Sequence, residues 1–151
     1  AALHYLARMI KAGEDPVFIA RRMVIFASED IGNARPNALV LAVSCMEAVK
    51  MIGMPESQLI LAQTATYLAT CPKSIASTEG IFAALKDLDD MKLDPIPLHL
   101  RNPVTKYMKE IGYGKGHIRY PWQAGKMGKK PSRQQYLPDN IKDRKYYNPD
   151  W

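Results

Sequence analysis

Cysteine and histidine are scarce in this chain, which has two cysteines and three histidines among 151 residues. Cys45 and Cys71 have no Cys or His close by at metal-ligand spacing, and two cysteines cannot form a disulfide framework. The histidines, His4, His99 and His117, are also too far apart in sequence to suggest a metal site or a catalytic triad. We therefore expect a reduced, intracellular protein and assign no catalytic, metal-binding or cofactor-binding residue.

Long apolar runs are missing as well. No uninterrupted run reaches the roughly 18 residues that a membrane span needs, and the first residues lack the basic and apolar regions of a signal peptide. These absences predict a cytoplasmic protein. The chain begins without methionine and enters a helical pattern without a capping residue, so we expect a fragment of something longer.

Strand-like alternation of apolar and polar residues is absent, and apolar residues recur instead at intervals of three and four. The sequence predicts an all-α fold, a bundle of about six helices with mostly antiparallel neighbours because the connections are short. Gly80 is expected to interrupt the fifth helix. The predicted boundaries are marked by Gly13, Asp15–Pro16, Pro36, Gly53, Pro55, Pro72, Asn102–Pro103 and Gly112.

The third predicted helix is apolar on nearly every side, which is typical of a helix that is buried all round. A body of about 110 residues buries only some two-thirds of its surface, so a partner subunit is the simplest cover for the excess. The candidates for an oligomer interface or for the core are Leu39, Val43, Met46 and Val49.

Charge is unevenly distributed. Residues 1–112 hold 12 basic and 12 acidic residues, whereas 113–151 hold nine and three, together with seven of the 13 aromatic residues. We predict a helical oligomerisation body over 1–112 and a basic, aromatic extension over 113–151 that contains Gly and Pro and docks on the body. Aromatic side chains in such a segment more often anchor it to its own protein, which leads us to expect 135–138 and Tyr146–Tyr147 to be fixed.

The alternative for the extension is direct DNA binding, because basic side chains neutralise phosphates and aromatic rings stack on bases. This alternative remains open at the level of sequence. Its candidate contacts are Lys126, Lys129, Lys130 and Arg133, and the segment 125–130 is expected to be looser than the anchored parts.

Two further motifs favour structural interpretations. The glycines of 112–116 follow a helix, whereas a Walker A loop follows a strand and opens a helix, so a helix C-cap is the preferred interpretation. The acidic pair Glu29–Asp30 lies near a helix C-terminus, where acids oppose the helix dipole. We expect an ion pair there with Arg21, Arg22 or Arg101.

Several longer motifs occur in a characteristic order. They are His4-Tyr5-Leu6-Ala7-Arg8-Met9, Gly13-Glu14-Asp15-Pro16, Ile19-Ala20-Arg21-Arg22, Ala27-Ser28-Glu29-Asp30-Ile31-Gly32, Pro97-Leu98-His99-Leu100-Arg101-Asn102, Thr105-Lys106, Gly112-Tyr113-Gly114-Lys115-Gly116 and Gln135-Tyr136-Leu137-Pro138. In order and spacing they resemble the C-terminal region of the replication-associated recombination protein A family, also called RarA/MgsA.

The resemblance carries its own expectations. This family comprises AAA+ ATPases similar to clamp-loader subunits and related to the Werner-helicase-interacting protein. The resemblance implies a helical oligomerisation domain, a homotetramer and action in DNA replication, recombination and repair at stalled forks. It also implies ATP and Mg in an upstream module outside this chain, so that this fragment is no enzyme. The implied partners are further copies of the chain, DNA, and replication proteins such as single-stranded DNA-binding protein.

Overall fold

A computed structural model describes residues 1–123 and 134–149, and within these ranges the chain forms helices and no β-strand. The all-α prediction is confirmed. The α-helices are α1 (Ala2–Lys11), α2 (Pro16–Phe26), α3 (Asn37–Ile52), α4 (Ser57–Thr70), α5 (Ala76–Asp90) and α6 (Lys106–Glu110). Among the described residues, no helix has the length and apolar character needed to cross a membrane.

The chain divides into two compact units, and the boundary falls within α5. The first unit comprises Ala1–Ala84 with the C-terminal residues from Tyr146 onward, and the second comprises Leu85–Lys145. The sequence predicts a different division, into a helical body over 1–112 and a docked extension over 113–151, and this division stays a prediction.

The core of the first unit lies among its first four helices. Helix α2 packs against both α3 and α4, and α1 packs on α4. Two clusters of buried apolar side chains fill the space between these helices. One cluster consists of Leu6, Ile19, Ala20, Cys45, Val49 and Leu61, and the other of Ala27, Ile31, Ala38, Ala42 and Leu68.

The predicted end of α1 and the predicted start of α2 are confirmed. The Asp15 side chain accepts a hydrogen bond from the Val17 amide at 3.0 Å, which caps α2 just before Pro16. Gly13 follows α1 with φ of +82°, a conformation that favours glycine. The amides of Gly13 and Glu14 there donate to carbonyls in the last turn of α1, the pairing of a Schellman motif.

Helix α2 does not end at a conventional cap but widens into a π-helix over Ala27–Ile31. Thr78 Oγ1 donates to the Glu29 carbonyl at 3.1 Å, and the Ser74 amide donates to the Asp30 carbonyl at 2.8 Å. The predicted ion pair is wrong, since no ion pair between described residues involves Glu29 or Asp30. The residue Ser74 before α5 and Thr78 in its first turn satisfy the carbonyls at this helix end instead.

Helix α5 runs without a break through Gly80, so the expected interruption there is also wrong. The glycine has a packing role. A Cβ atom at this position would lie 2.8 Å from the carbonyl oxygen of Tyr146, so Gly80 lets the C-terminal chain pass close to the helix.

In the second unit, the start of α6 differs from the prediction. The Asn102–Pro103 cap is wrong, because Thr105 Oγ1 accepts the Met108 amide at 3.2 Å and the helix begins at Lys106. The end was predicted correctly, since Gly112 has φ of +98° and completes a second Schellman motif.

Residues of the C-terminal segment 134–149 make polar contacts within each of the two units. In the second unit, His99 Nε2 lies 2.7 Å from the Gln135 carbonyl oxygen, and Arg144 forms a 2.9 Å ion pair with the largely buried Asp87. In the first unit, Asn33 donates to the Tyr147 hydroxyl at 3.2 Å.

Candidate self-association surface

The first unit leaves many large apolar side chains in contact with solvent. Helix α3 has a buried face and an exposed face on which large apolar side chains lie among polar ones. The buried face consists of Ala38, Ala42, Cys45 and Val49. The exposed face includes Val40, which is 65% exposed, and Met51, which is 80% exposed.

An apolar groove lies where α2, α3 and α5 meet, with a volume of about 490 Å³. Its apolar lining is Val24, Ile25, Leu39, Ile81 and Phe82. Phe82 is 64% exposed, an unusual state for a large aromatic side chain that has no polar group to hydrate. Burial of such side chains is worth about 1.5–3 kcal/mol each, so the groove is a favourable surface for an apolar partner.

The local fold fixes the groove geometry. Ile25 comes from the last turn of α2, immediately before the π-helix, and Leu39 comes from the first turn of α3. The hydrogen bond between Thr78 and the Glu29 carbonyl holds the first turns of α5 against the π-helix. Ile81 and Phe82 follow one turn later on α5. The contact between Thr78 and the π-helix therefore sets the position of α5, which forms the third side of the groove.

The four interface or core candidates of the sequence occupy different environments. Val49 lies in the core, and Met46 is partly buried and packs against the same core cluster. Leu39 and Val43 are each about 40% exposed, and one turn of α3 separates them. Leu39 lines the groove, and Val43 extends its apolar surface along the helix.

Sequence reasoning missed the other groove residues. Ile25, Ile81 and Phe82 looked like ordinary apolar positions on their own helices, and nothing in their spacing indicates that they converge.

Polar groups are confined to a few positions around the groove. Ser28, Glu29 and Thr78 complete its lining. On α3, Lys50 and Glu47 form an exposed ion pair at 3.0 Å. Residues 1–84 and 146–151 together hold seven basic and eight acidic residues, so no large net charge opposes the approach of a second copy.

In this unit, Cys45 is a titratable residue with a shifted pKa. Burial raises the pKa of the Cys45 thiol, and a hydrogen bond with the Thr64 side chain lowers it by less. Among residues 1–123 and 134–149, no three His, Cys, Asp or Glu side chains are grouped so as to hold a metal ion.

The four candidate DNA contacts, Lys126, Lys129, Lys130 and Arg133, lie outside the described residues. The same holds for Trp151 and for the segment 125–130 that was expected to be loose.

Over residues 1–151, the sequence matches the family described as MgsA AAA+ ATPase C terminal. The chain belongs to this family. The resemblance to replication-associated recombination protein A is confirmed, and the chain corresponds to the C-terminal domain of an AAA+ ATPase.

Similar proteins match almost all of the chain. It is 47% identical to an AAA domain-containing protein of Mycobacterium tuberculosis, over 99% of the chain and 32% of that protein. It is 39% identical to replication-associated recombination protein A of Escherichia coli, over 99% of the chain and 33% of that protein. It is 38% identical to the ATPase WRNIP1 of Dictyostelium discoideum, over 97% of the chain and 16% of that protein. The chain thus spans a third or less of the length of these relatives.

Proposed function

We propose that the chain is the self-association module of an AAA+ ATPase that acts in DNA replication and recombination at stalled forks. The observation that carries the proposal is the exposed apolar groove between α2, α3 and α5. Its occupant is a second copy of the chain, and four copies make the complete assembly. Family membership supports this proposal, because the family comprises C-terminal domains of AAA+ ATPases.

The chemistry of ATP hydrolysis belongs to the rest of the parent protein in this account. ATP and Mg bind in that upstream part, and the 151 residues set the geometry in which several such parts meet. The parent works in the cytoplasm on DNA, with replication proteins such as single-stranded DNA-binding protein as partners. ATP turnover by the isolated chain would contradict this division of labour.

Substitutions in the groove test the proposal. The double variant Ile81→Ser and Phe82→Ser removes two apolar side chains that self-association would bury. We expect its association to weaken by about tenfold or more, since truncation of a buried anchor at an interface costs about 2 kcal/mol or more. Sedimentation velocity over a range of concentrations measures the change.

The matched control is Val104→Ser, which removes a 77% exposed apolar side chain from the second unit. The control should associate like the unmodified chain. Equal association of both variants, or dissociation of the control alone, would contradict the proposal that the groove is the self-association surface.

A second function, direct DNA binding, is favoured by the distribution of charge. Residues 85–145 hold 14 basic and seven acidic residues, so the whole positive excess of the chain lies in the second unit. Substitution of Lys126, Lys129, Lys130 and Arg133 by alanine should weaken a salt-dependent affinity for DNA. An affinity for DNA that does not change with salt concentration, or that is unchanged in the fourfold variant, would exclude DNA binding through these four residues.

A further inference from the structure

The second unit exposes a pair of aromatic rings beside a basic side chain. Trp122 is 74% exposed and Tyr120 is 46% exposed. Their ring centroids are 5.5 Å apart, and the ring planes meet edge to face at 68°. The Arg119 guanidinium lies over the Tyr120 ring, 5.4 Å from its centroid.

Hydrogen bonds fix the segment that carries these rings. The Gly114 amide donates to the Leu98 carbonyl at 2.9 Å, before the rings. The Ile118 amide donates to the Gln134 side chain at 2.6 Å, directly before Arg119. The Gln123 amide donates to the Tyr120 carbonyl at 3.0 Å, which closes a turn around Trp122. The rings are therefore held at a set position in solvent.

Burial within the unit does not explain the Trp122 ring. An exposed indole leaves a large apolar face in water, and a flat ring of this kind stacks well on a nucleobase. The guanidinium of Arg119 carries a positive charge that can pair with a phosphate of the nucleic-acid backbone. The stretch of sequence that leads to the rings is also basic, because residues 95–123 contain five basic residues and one acidic residue.

We infer that Arg119, Tyr120 and Trp122 form a stacking site for single-stranded DNA. The inference rests on the DNA-binding candidate above, but it assigns the contact to described residues and makes the ligand specific. In a duplex, bases are already stacked on their neighbours and an exposed ring cannot reach their faces. The site therefore prefers single-stranded over double-stranded DNA. Lysine side chains contact phosphates, which both forms carry, so contacts through lysines alone would not produce a preference based on stacking.

The experiment measures fluorescence anisotropy of labelled oligothymidylate of about 20 nucleotides, a length that exceeds common single-strand site sizes. A duplex and an oligouridylate of equal length are the comparison probes. The 151-residue chain should bind oligothymidylate more tightly than the duplex, because only single-stranded bases offer free faces for stacking. Equal or tighter binding of the duplex would overturn the stacking site, and tighter binding of oligouridylate would overturn DNA as its ligand.

Three variants and one control separate stacking from charge. Trp122→Ala should weaken binding of oligothymidylate about tenfold, the loss typical of one stacked base, while its salt dependence is unchanged. Trp122→Phe retains a flat ring and should remain within about threefold. Arg119→Ala should instead lower the slope of log affinity against log salt by about one. Tyr136→Ala removes another exposed tyrosine of the second unit and should change nothing.

Intrinsic fluorescence gives a readout without altering the site. The chain has two tryptophans, so Trp151→Phe leaves Trp122 as the reporter. Oligothymidylate should quench this signal at the concentrations that saturate anisotropy. Unchanged fluorescence together with normal binding by Trp122→Ala would overturn the stacking site.

The outcomes also distinguish this inference from the proposals above. Loss of binding in the fourfold lysine and arginine variant, with normal binding in Trp122→Ala, would leave the basic segment as the DNA contact and refute the stacking site. The reverse result would support the stacking site and refute the basic segment. Neither result bears on self-association, which sedimentation measures in the absence of DNA.

Discussion

At the scale of single residues, the environments of the two cysteines differ although the sequence treats them alike. Cys45 is buried in the core of the first unit, whereas Cys71 is half-buried just beyond α4. Because burial raises the pKa of the Cys45 thiol, less of its reactive thiolate is present at any given pH.

Alkylation should therefore discriminate between the two thiols. With iodoacetamide at about pH 8, just below the ordinary thiol pKa, we expect Cys71 to be modified first. Cys45 should react only when the protein unfolds. Mass spectrometry of peptides from the partly modified chain measures both rates, and equal rates under native conditions would contradict the described core.

Gly80 offers a test in which the sign of the effect is informative. Replacement of glycine by alanine within a helix ordinarily stabilises by about 0.5–1 kcal/mol. Here the new methyl group would meet the Tyr146 backbone at 2.8 Å, and overpacking of this kind costs about 1–3 kcal/mol. We therefore expect Gly80→Ala to lower the melting temperature.

The control for Gly80→Ala is the same substitution in a chain that ends at residue 145. Without Tyr146 the ordinary helix preference should return, and the substitution should raise the melting temperature. A stabilising effect in the full chain would show that the C-terminal residues do not press on α5.

At the scale of elements, sequence patterns predicted helices better than the joints between them. The caps at Asp15, Gly13 and Gly112 were predictable because each depends on a few neighbouring residues. The π-helix at Ala27–Ile31 was not, because its carbonyls are satisfied by Ser74 and Thr78, more than 40 residues away.

The same distinction holds for the candidate sites. Leu39 and Val43 were found from the composition of one helix, since an excess of apolar residues on α3 is visible in sequence. The remaining groove residues lie on α2 and α5, and only the packing of three helices brings them together. The exposed indole of Trp122 was likewise visible in sequence only as an aromatic residue in a basic segment.

The joint between the π-helix and α5 makes a stability prediction. Thr78→Val retains the shape of the side chain but removes the hydroxyl that bonds to the Glu29 carbonyl. We expect a loss of about 1 kcal/mol in the free energy of unfolding, the usual net value of one hydrogen bond. Chemical denaturation measures it.

Thr66→Val is the matched control for this prediction. Its hydroxyl also bonds to backbone carbonyls, those of Ala62 and Gln63, but within its own helix. This substitution should cost clearly less, because the helix retains its own backbone bonds. Equal losses would mean that Thr78 does not hold α5 in place.

At the scale of the whole molecule, the apolar groove and the positive charge lie in different units. The first is nearly neutral and carries the exposed apolar groove, and the second carries the positive excess and the exposed Tyr120–Trp122 pair. This division suits a module in which one unit binds further copies of the chain and the other binds DNA. The two activities should then be separable by mutation.

The central claim is that the chain associates with itself, and the molar mass in solution tests it most directly. Light scattering of the 151-residue chain at rising concentration should give a mass above the 17.0 kDa of one copy and approach that of four copies. A mass of 17.0 kDa that persists into the high micromolar range would contradict the account.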